Sequence, residues 1–457
     1  MAAPAELDPR EEVRPPVVRT ELAALLKLAG PVVASRLGVM AMGLTDALVV
    51  GRYSATQLGY HALAWAPTSV VVTMAIGLLT GVQVMTARAL GEGRREATGA
   101  VLRRGLSYSL WIGLVSTLAL LAGGPAFLHA IGLEKTLADG ASAALVVFAF
   151  SLPGITLSVA AASWLEGLSK PGPAAWLMWA ANVVNLGFVL VLVPGAFDLP
   201  ALGAVGGAWA TFGARTFLAV VTLAYIAMMP EARALGVFEK PPRNRPAEAE
   251  QRRIGFGAGL SNVFEVAAFS SLNVIAGWIG ALAVAGWTIV LNVTGVIFMI
   301  PLGLATAAAV RVGAAYGARD PAGVRRGAAV ALCVTALYGV ILSVAIVFLA
   351  GPIVRLYTRD VETLVMTGAA LALTCLMFLP DALQVVAAQS LRARGDVWVP
   401  TGTHLTSYVV LMAPLAWFLS IPMGMGLTGM IWASIVASAV SCGLLLARTW
   451  MLNRRER

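Results

Sequence analysis

Three carboxylates sit well inside apolar stretches: Asp46, Glu265 and Asp381. From Ile254 to Val296, Glu265 is the lone charged residue. An ionised carboxylate in hydrocarbon is costly, so such a group is protonated, paired or turned toward a wet cavity. Glu265 follows Arg253 by 12 residues and Asp381 precedes Arg392 by 11. At 1.5 Å of rise per residue both stand roughly 16–18 Å above those arginines, near the middle of a bilayer. Asp46 lies six residues before Arg52, nearer the opposite face.

The neighbours of these acids are polar at helical spacing. Ser261 and Asn262 precede Glu265, Gln384 follows Asp381 by three residues, and Thr45 adjoins Asp46. Such stripes suit the wall of a wet cavity. A carboxylate in low dielectric can carry a proton at neutral pH. Two carboxylates with amide or hydroxyl oxygens can instead hold a hard cation such as sodium. A purely structural role, as buried ion pair or interhelical hydrogen bond, stands beside both readings. Arg36 and Arg215 also lie inside apolar runs. They fit either a pairing with Asp46 or helix-end carbonyls, or an anion-binding patch. Asn182 and Asn185 are placed as polar interhelical or cavity-lining groups.

Enzyme constellations are missing: there is no HExxH, GxSxG, CxxC or P-loop, and His61, His129 and His404 are far apart near expected span ends. No catalytic residue, no cofactor and no metal beyond sodium at Glu265 and Asp381 is expected. "GLLTG" (77–81) and "GFGAG" (255–259) match GxxxG, for which helix packing is a sufficient reading. Cys333, Cys375 and Cys442 lie in apolar runs and suggest packing rather than disulfides.

The elements that must position these groups are membrane spans. The chain of 457 residues is 59% hydrophobic and 12% charged, where a soluble chain has roughly 25% charged. Residues 1–21 hold five acids ahead of the first apolar run, unlike a cleavable signal peptide. Twelve spans of about 20 or more apolar residues can be read. Their centres fall near residues 36, 74, 113, 152, 186, 215, 267, 298, 339, 377, 411 and 438. Pro31 and Pro380 fall inside spans and mark expected kinks. The loops on the side of the termini carry about 26 of the Lys and Arg residues, Arg392 and Arg394 among them, which makes both termini cytoplasmic. The net charge of +9 is thereby a topology signal, and no nucleic-acid-binding module is visible.

The polar interval 230–253 divides six spans from six, and the halves resemble each other. "RALGEGRREATGAVLRRG" is echoed by "AAYGARDPAGVRRG", aligning Gly91 with Gly317 at an offset of 226 residues that Leu165 and Leu391 also keep. "GAVGGAWAT" is echoed by "GLTGMIWAS". Six plus six spans is a transporter signature, two bundles rocking about a central site. The expected organisation is a tail (1–21), a first lobe (22–229), a linker (230–253), a second lobe (254–450) and a tail (451–457).

"LAGPVVASRLGVMAMGLTDALVVGRYSATQLG" (28–59), "SNVFEVAAFSSL" (261–272) and "LPDALQVVAAQSLRARGD" (379–396) resemble the multidrug and toxic compound extrusion (MATE) transporters, in their NorM-like branch. The resemblance covers nearly the whole chain. It implies an all-α integral membrane protein of two pseudo-symmetric six-helix bundles. It further implies a bacterial inner-membrane antiporter, acting as a monomer, that exports organic cations and drugs against inward sodium or protons, with antibiotic resistance as the consequence. The family's carboxylates fall on Glu265, Asp381 and Asp46. Two positions depart: a tyrosine found one turn before the second-lobe aspartate in some relatives is Met377, and an acid or amide of span five is Val189. A flippase for lipid-linked sugar precursors is the nearest rival and would use Arg36 and Arg215. A membrane-embedded enzyme is a more distant one.

Overall fold

The computed structural model describes residues 17–240 and 244–455. The remaining parts of the two expected tails and residues 241–243 of the expected linker lie outside the described residues. The first half folds as α1 (Val17–Tyr53), α2 (Ala55–Gly91), α3 (Ala97–Ala130), α4 (Lys135–Gly167), α5 (Pro171–Leu192) and α6 (Gly203–Met228). The second half folds as α7 (Arg245–Ile279), α8 (Ala281–Gly317), α9 (Pro321–Tyr357), α10 (Val361–Leu373) with α11 (Cys375–Ala393), α12 (Trp398–His404) with α13 (Ala413–Ser420), and α14 (Gly426–Arg455). Eleven of these helical segments are long and apolar enough to span a bilayer, and the α10–α11 pair makes twelve if it is one bent span. Eleven of the twelve expected spans are matched by single segments and the tenth by the bent pair.

Local signals set the helix ends. Ser54, Asn244, Asp320 and Asp360 each accept a hydrogen bond from a backbone N–H of the first turn they precede. Helix α7 starts at Arg245, so the last residues of the expected 230–253 linker are helical. The preceding stretch is docked rather than loose. Met229, Ala232 and Leu235 are buried against Trp164 and Leu165, and the Leu235 carbonyl accepts from Gly99 N–H. Outside the spans, the Lys170 ammonium pairs with Glu231 and holds its carboxyl below the usual carboxylate range.

The repeat read from sequence recurs in the coordinates. Tyr53 and Ile279 end α1 and α7, Ala55 and Ala281 begin α2 and α8, and Gly91 and Gly317 end them, each pair at the 226-residue offset. Gly280, at φ 138°, stands where the first half has Ser54 in extended conformation. That φ is open to glycine and rarely to other residues.

Glycines bring the two halves together. A Cβ on Gly91 would strike Ala314, and one on Gly317 would strike Arg88, which are repeat-equivalent contacts. Gly77 faces the backbone of Gly259 at a hypothetical Cβ separation of 2.5 Å, and Gly255 faces Leu78. The two GxxxG stretches thus pack on each other across the halves, because only glycine lets the backbones come this close. All these contacts lie toward the end that holds the C-termini of α2 and α8. Polar bonds seal the same end. Arg88 Nε donates to the Ala393 carbonyl at 3.0 Å, Arg88 pairs with Glu250 at 3.3 Å, and Arg311 pairs with Glu21 at 2.6 Å. Among the described residues the outermost hydrogen bond between the halves runs from Asn262 Nδ2 to the Thr73 carbonyl, 3.2 Å.

Two irregularities shape the second half. The tenth span bends by 46° at Thr374, well before Pro380, where the kink was expected. Ser343 Oγ donates to the Cys375 carbonyl, occupying an acceptor at the break. Helix α1 is continuous through Pro31. In the eleventh span Leu405–Met412 is a π-helix. Pro414 stands two residues beyond it, and a proline with no N–H and a bulky ring disfavours the ordinary ladder in the turn before it.

Candidate functional site

Helix α7 reaches Glu265 one turn beyond Asn262, whose Nδ2 is bonded across to α2 of the first half. Glu265 is half-buried. Helix α11 brings Asp381, also half-buried, near enough for the two charges to repel. Asp381 Oδ1 accepts hydrogen bonds from Ser438 Oγ at 3.2 Å and from the Tyr408 hydroxyl at 3.4 Å. Tyr408 is fully buried, sits within the π-helix and feels both carboxylates. Gln384 is fully buried beside Asp381, and its side chain acts on that carboxylate. A small cavity opens next to Asp381, lined also by Thr294, Pro301, Tyr338 and Met377. Two carboxylates, two hydroxyls and an amide can take up a proton or offer oxygens to a small cation.

Arg392 is a correction to the sequence reading, which set it in a loop as a depth mark. Helix α11 continues to Ala393, and Arg392 is 2% exposed, turned into the second half. Its Nη2 donates to Ser261 Oγ at 2.7 Å, and Ser261 Oγ lies 2.8 Å from His404 Nδ1. Arg394 does lie in the turn after α11, as expected, but is buried and donates to Asn453. His404, expected near a span end, is buried edge-on against Tyr408 with ring centroids 5.5 Å apart.

In the first half Asp46 is 3% exposed and accepts from Thr211 Oγ1 at 2.7 Å through Oδ2. Its Oδ1 has no partner. Asn185 lies beside it, fully buried, and its side chain acts on the carboxylate. Arg215 is 7% exposed and acts on Asp46 through its charge, but the two make no direct ion pair among the described residues. Val189 packs with Val50, Val193 and Ala210 and supplies no oxygen. Asn182 Nδ2 donates to the Gly38 and Met178 carbonyls, at 3.0 and 2.9 Å, and ties α5 to α1. Arg36 does not reach Asp46; it pairs with Glu166 of α4 at 3.7 Å.

The sequence reading missed Glu166, Thr211, Tyr408 and Ser438 as parts of these clusters. Two carried a signal. Thr211 and Arg215 are four apart on α6, and Ser434, Ser438 and Ser441 form a stripe on one face of α14. Glu166 sits beside a turn and gives no cue to its burial at 4% exposure.

Eleven spans, or twelve with the bent pair, in two repeat-related halves packed together at one end, with carboxylates buried inside each half, are the architecture of a membrane transporter. The MatE family pattern matches residues 31–191 and again 258–418. The chain belongs to the MatE family, whose members are transporters and not enzymes. It is 58% identical over 447 residues to the probable multidrug resistance protein NorM of Caulobacter vibrioides, covering 98% of this chain and 95% of that one. A probable multidrug resistance protein NorM of Bradyrhizobium diazoefficiens is 31% identical over 455 residues, covering 95% and 94%. Among solved structures, the fold is similar to an outward-facing multidrug resistance MATE transporter of the MOP superfamily. That match has a TM-score of 0.87 at 18% identity over 95% of this chain and 96% of that chain.

Proposed function

We propose that this chain is a multidrug antiporter of the bacterial inner membrane that exports organic cations in exchange for inward sodium or protons. The observation that carries this reading is the convergence of Glu265 and Asp381, from two helices of the second half, beside a small cavity. Ligand and coupling cation compete for that charge, so loading one displaces the other as the lobes alternate. The lobes are 22–229 and 254–450, hinged by 230–253, with both termini cytoplasmic. On that topology the glycine seam closes the cytoplasmic side and the site faces outward. The 58% identity to the probable multidrug resistance protein of Caulobacter vibrioides supports the drug class. Asp46 is a separate first-lobe group that takes a proton or a substrate amine. Asn262, Gln384, Asn185 and Asn182 are the accompanying polar positions, the first two nearest the second-lobe pair. The protein works as a monomer.

The flippase rival needs free cationic groups facing substrate. Arg36 is spent on Glu166 and Arg215 is set against Asp46, which counts against it. The test is transport of ethidium by the purified protein in liposomes, with sodium and pH gradients imposed separately. Export driven by either gradient supports the reading; accumulation indifferent to both overturns it.

A further inference from the structure

Arg392 has no place in the site described so far. It is buried among α7, α11 and the eleventh span, without a carboxylate in direct ion-pair contact among the described residues. Its Nη2 is taken by Ser261, its Nε has no partner, and the carboxylate on which its charge acts is Glu265. The other charged or titratable groups around it are His404 through Ser261, Tyr408 and Asp381 beyond, and Arg88 of α2, which donates to the Arg392 carbonyl at 3.4 Å. A buried guanidinium is normally closed onto an acid, since a lone charge in the interior is costly.

The repeat says what is unusual here. At the 226-residue offset Arg392 occupies the place of Glu166, and Arg36 occupies that of Asn262, one turn before Glu265. Each half therefore sets one acid and one arginine on its first helix and on its fourth span, with the polarity reversed. In the first half the pair is closed, Arg36 to Glu166 at 3.7 Å. In the second half it is open: arginine and glutamate interact through space, and hydrogen-bonding capacity on the arginine stays unused.

We propose that Arg392 is a tethered counter-cation for Glu265, a positioning residue that balances this carboxylate whenever the coupling cation is absent. An open pair of this kind leaves Glu265 accessible to a proton or to sodium while lowering the penalty of its vacant, ionised form. Arg392 then weakens cation binding and speeds release, so the second lobe can unload. Ser261 and His404 hold the guanidinium at its working distance and keep it from collapsing onto Glu265. This role rests on the coupling reading of Glu265 given above, but the pairing itself can be measured without transport.

The experiment uses the full chain with Arg392→Met, Arg392→Lys, Glu265→Gln and the Glu265→Gln/Arg392→Met double variant. Thermal unfolding in detergent is followed first. Arg392→Met should lower the midpoint, and adding Glu265→Gln should recover much of the loss, since no unbalanced carboxylate then remains. A double variant no more stable than Arg392→Met overturns the pairing. Ethidium export in liposomes is followed next, against pH and against sodium. Arg392→Met should move the pH profile upward by about one unit or lower half-saturating sodium roughly tenfold, with a lower maximal rate. Arg392→Lys, which keeps the charge, should stay close to the parent. Unchanged pH and sodium profiles in Arg392→Met, or a lysine variant that behaves like the methionine one, overturn the counter-cation role. If Glu265→Gln exports normally while the thermal recovery is seen, the coupling reading fails and the pairing stands.

Discussion

Tyr408 gives its hydroxyl to Asp381 Oδ1 at 3.4 Å from within the π-helical turn of the eleventh span. The residue one turn before Asp381 on its own helix is Met377, which lines the small cavity there. A phenol is thus supplied to the second-lobe aspartate from a neighbouring span, and the π-helix is the element that delivers it. Such insertions in a helix shift the facing of every later side chain, and they concentrate at functional sites.

Removing that hydroxyl should weaken the site without emptying the core. Tyr408→Phe keeps the ring against His404 and Phe269. A long hydrogen bond to a charged acceptor is worth about 1 kcal/mol, which corresponds to roughly fivefold in an equilibrium constant. The expected outcome is a roughly fivefold change in half-saturating coupling cation with a near-parental unfolding midpoint. An unchanged cation dependence shows that Tyr408 serves only as packing.

The glycine seam should matter for cycling more than for stability. Gly81 faces the backbone of Gln251 with no room for a Cβ. Gly81→Val should hold the two halves apart at that end, at an overpacking cost of about 1–3 kcal/mol. Ethidium export should fall by roughly tenfold or more, while each half keeps its own core and the protein still purifies folded. Near-parental export by Gly81→Val contradicts a seam that must close in each cycle.

Asp46 should act apart from the second-lobe pair. Its repeat counterpart is Leu272, fully buried in apolar packing, and the counterparts of Glu265 and Asp381 are Val39 and Ile155. The two halves are chemically unequal. Around Asp46 the oxygen donors are few: Thr211 is bonded to it, Asn185 is adjacent, and Val189 offers none. Arg215 already supplies a positive charge nearby. Asp46→Asn should therefore lower export and change its pH dependence more than its sodium dependence, measured in the same liposomes. A weakened sodium response with an unchanged pH profile reverses the assignment of the two lobes.

The spans, the repeat and the acids were legible because each is a property of one segment. An apolar run reports a helix whether or not its neighbours are known, and a lone Glu265 within 43 apolar and polar residues, 254–296, stands out by cost alone. What was not legible depends on which way a helix is turned and on what another helix brings. Arg392 lies in a run of charges, "RARGD", and reads as loop until α11 is seen to continue beneath it. Glu166 lies at the end of a span, and its partner Arg36 comes from α1. The tenth-span bend at Thr374 has no proline to announce it; Ser343 of the neighbouring α9 helps to accommodate it.

The most direct test of the coupling site is gradient-driven ethidium export by Glu265→Gln, Asp381→Asn and the double variant, each confirmed folded by its unfolding midpoint. A neutral amide keeps the shape and the hydrogen bonding but cannot release a proton or lend a full charge to a cation. The expected result is loss of coupled export in each single variant, with the double variant little worse than either, because the two carboxylates act as one unit. Near-parental export by either single variant contradicts the assignment of Glu265 and Asp381 as the coupling pair.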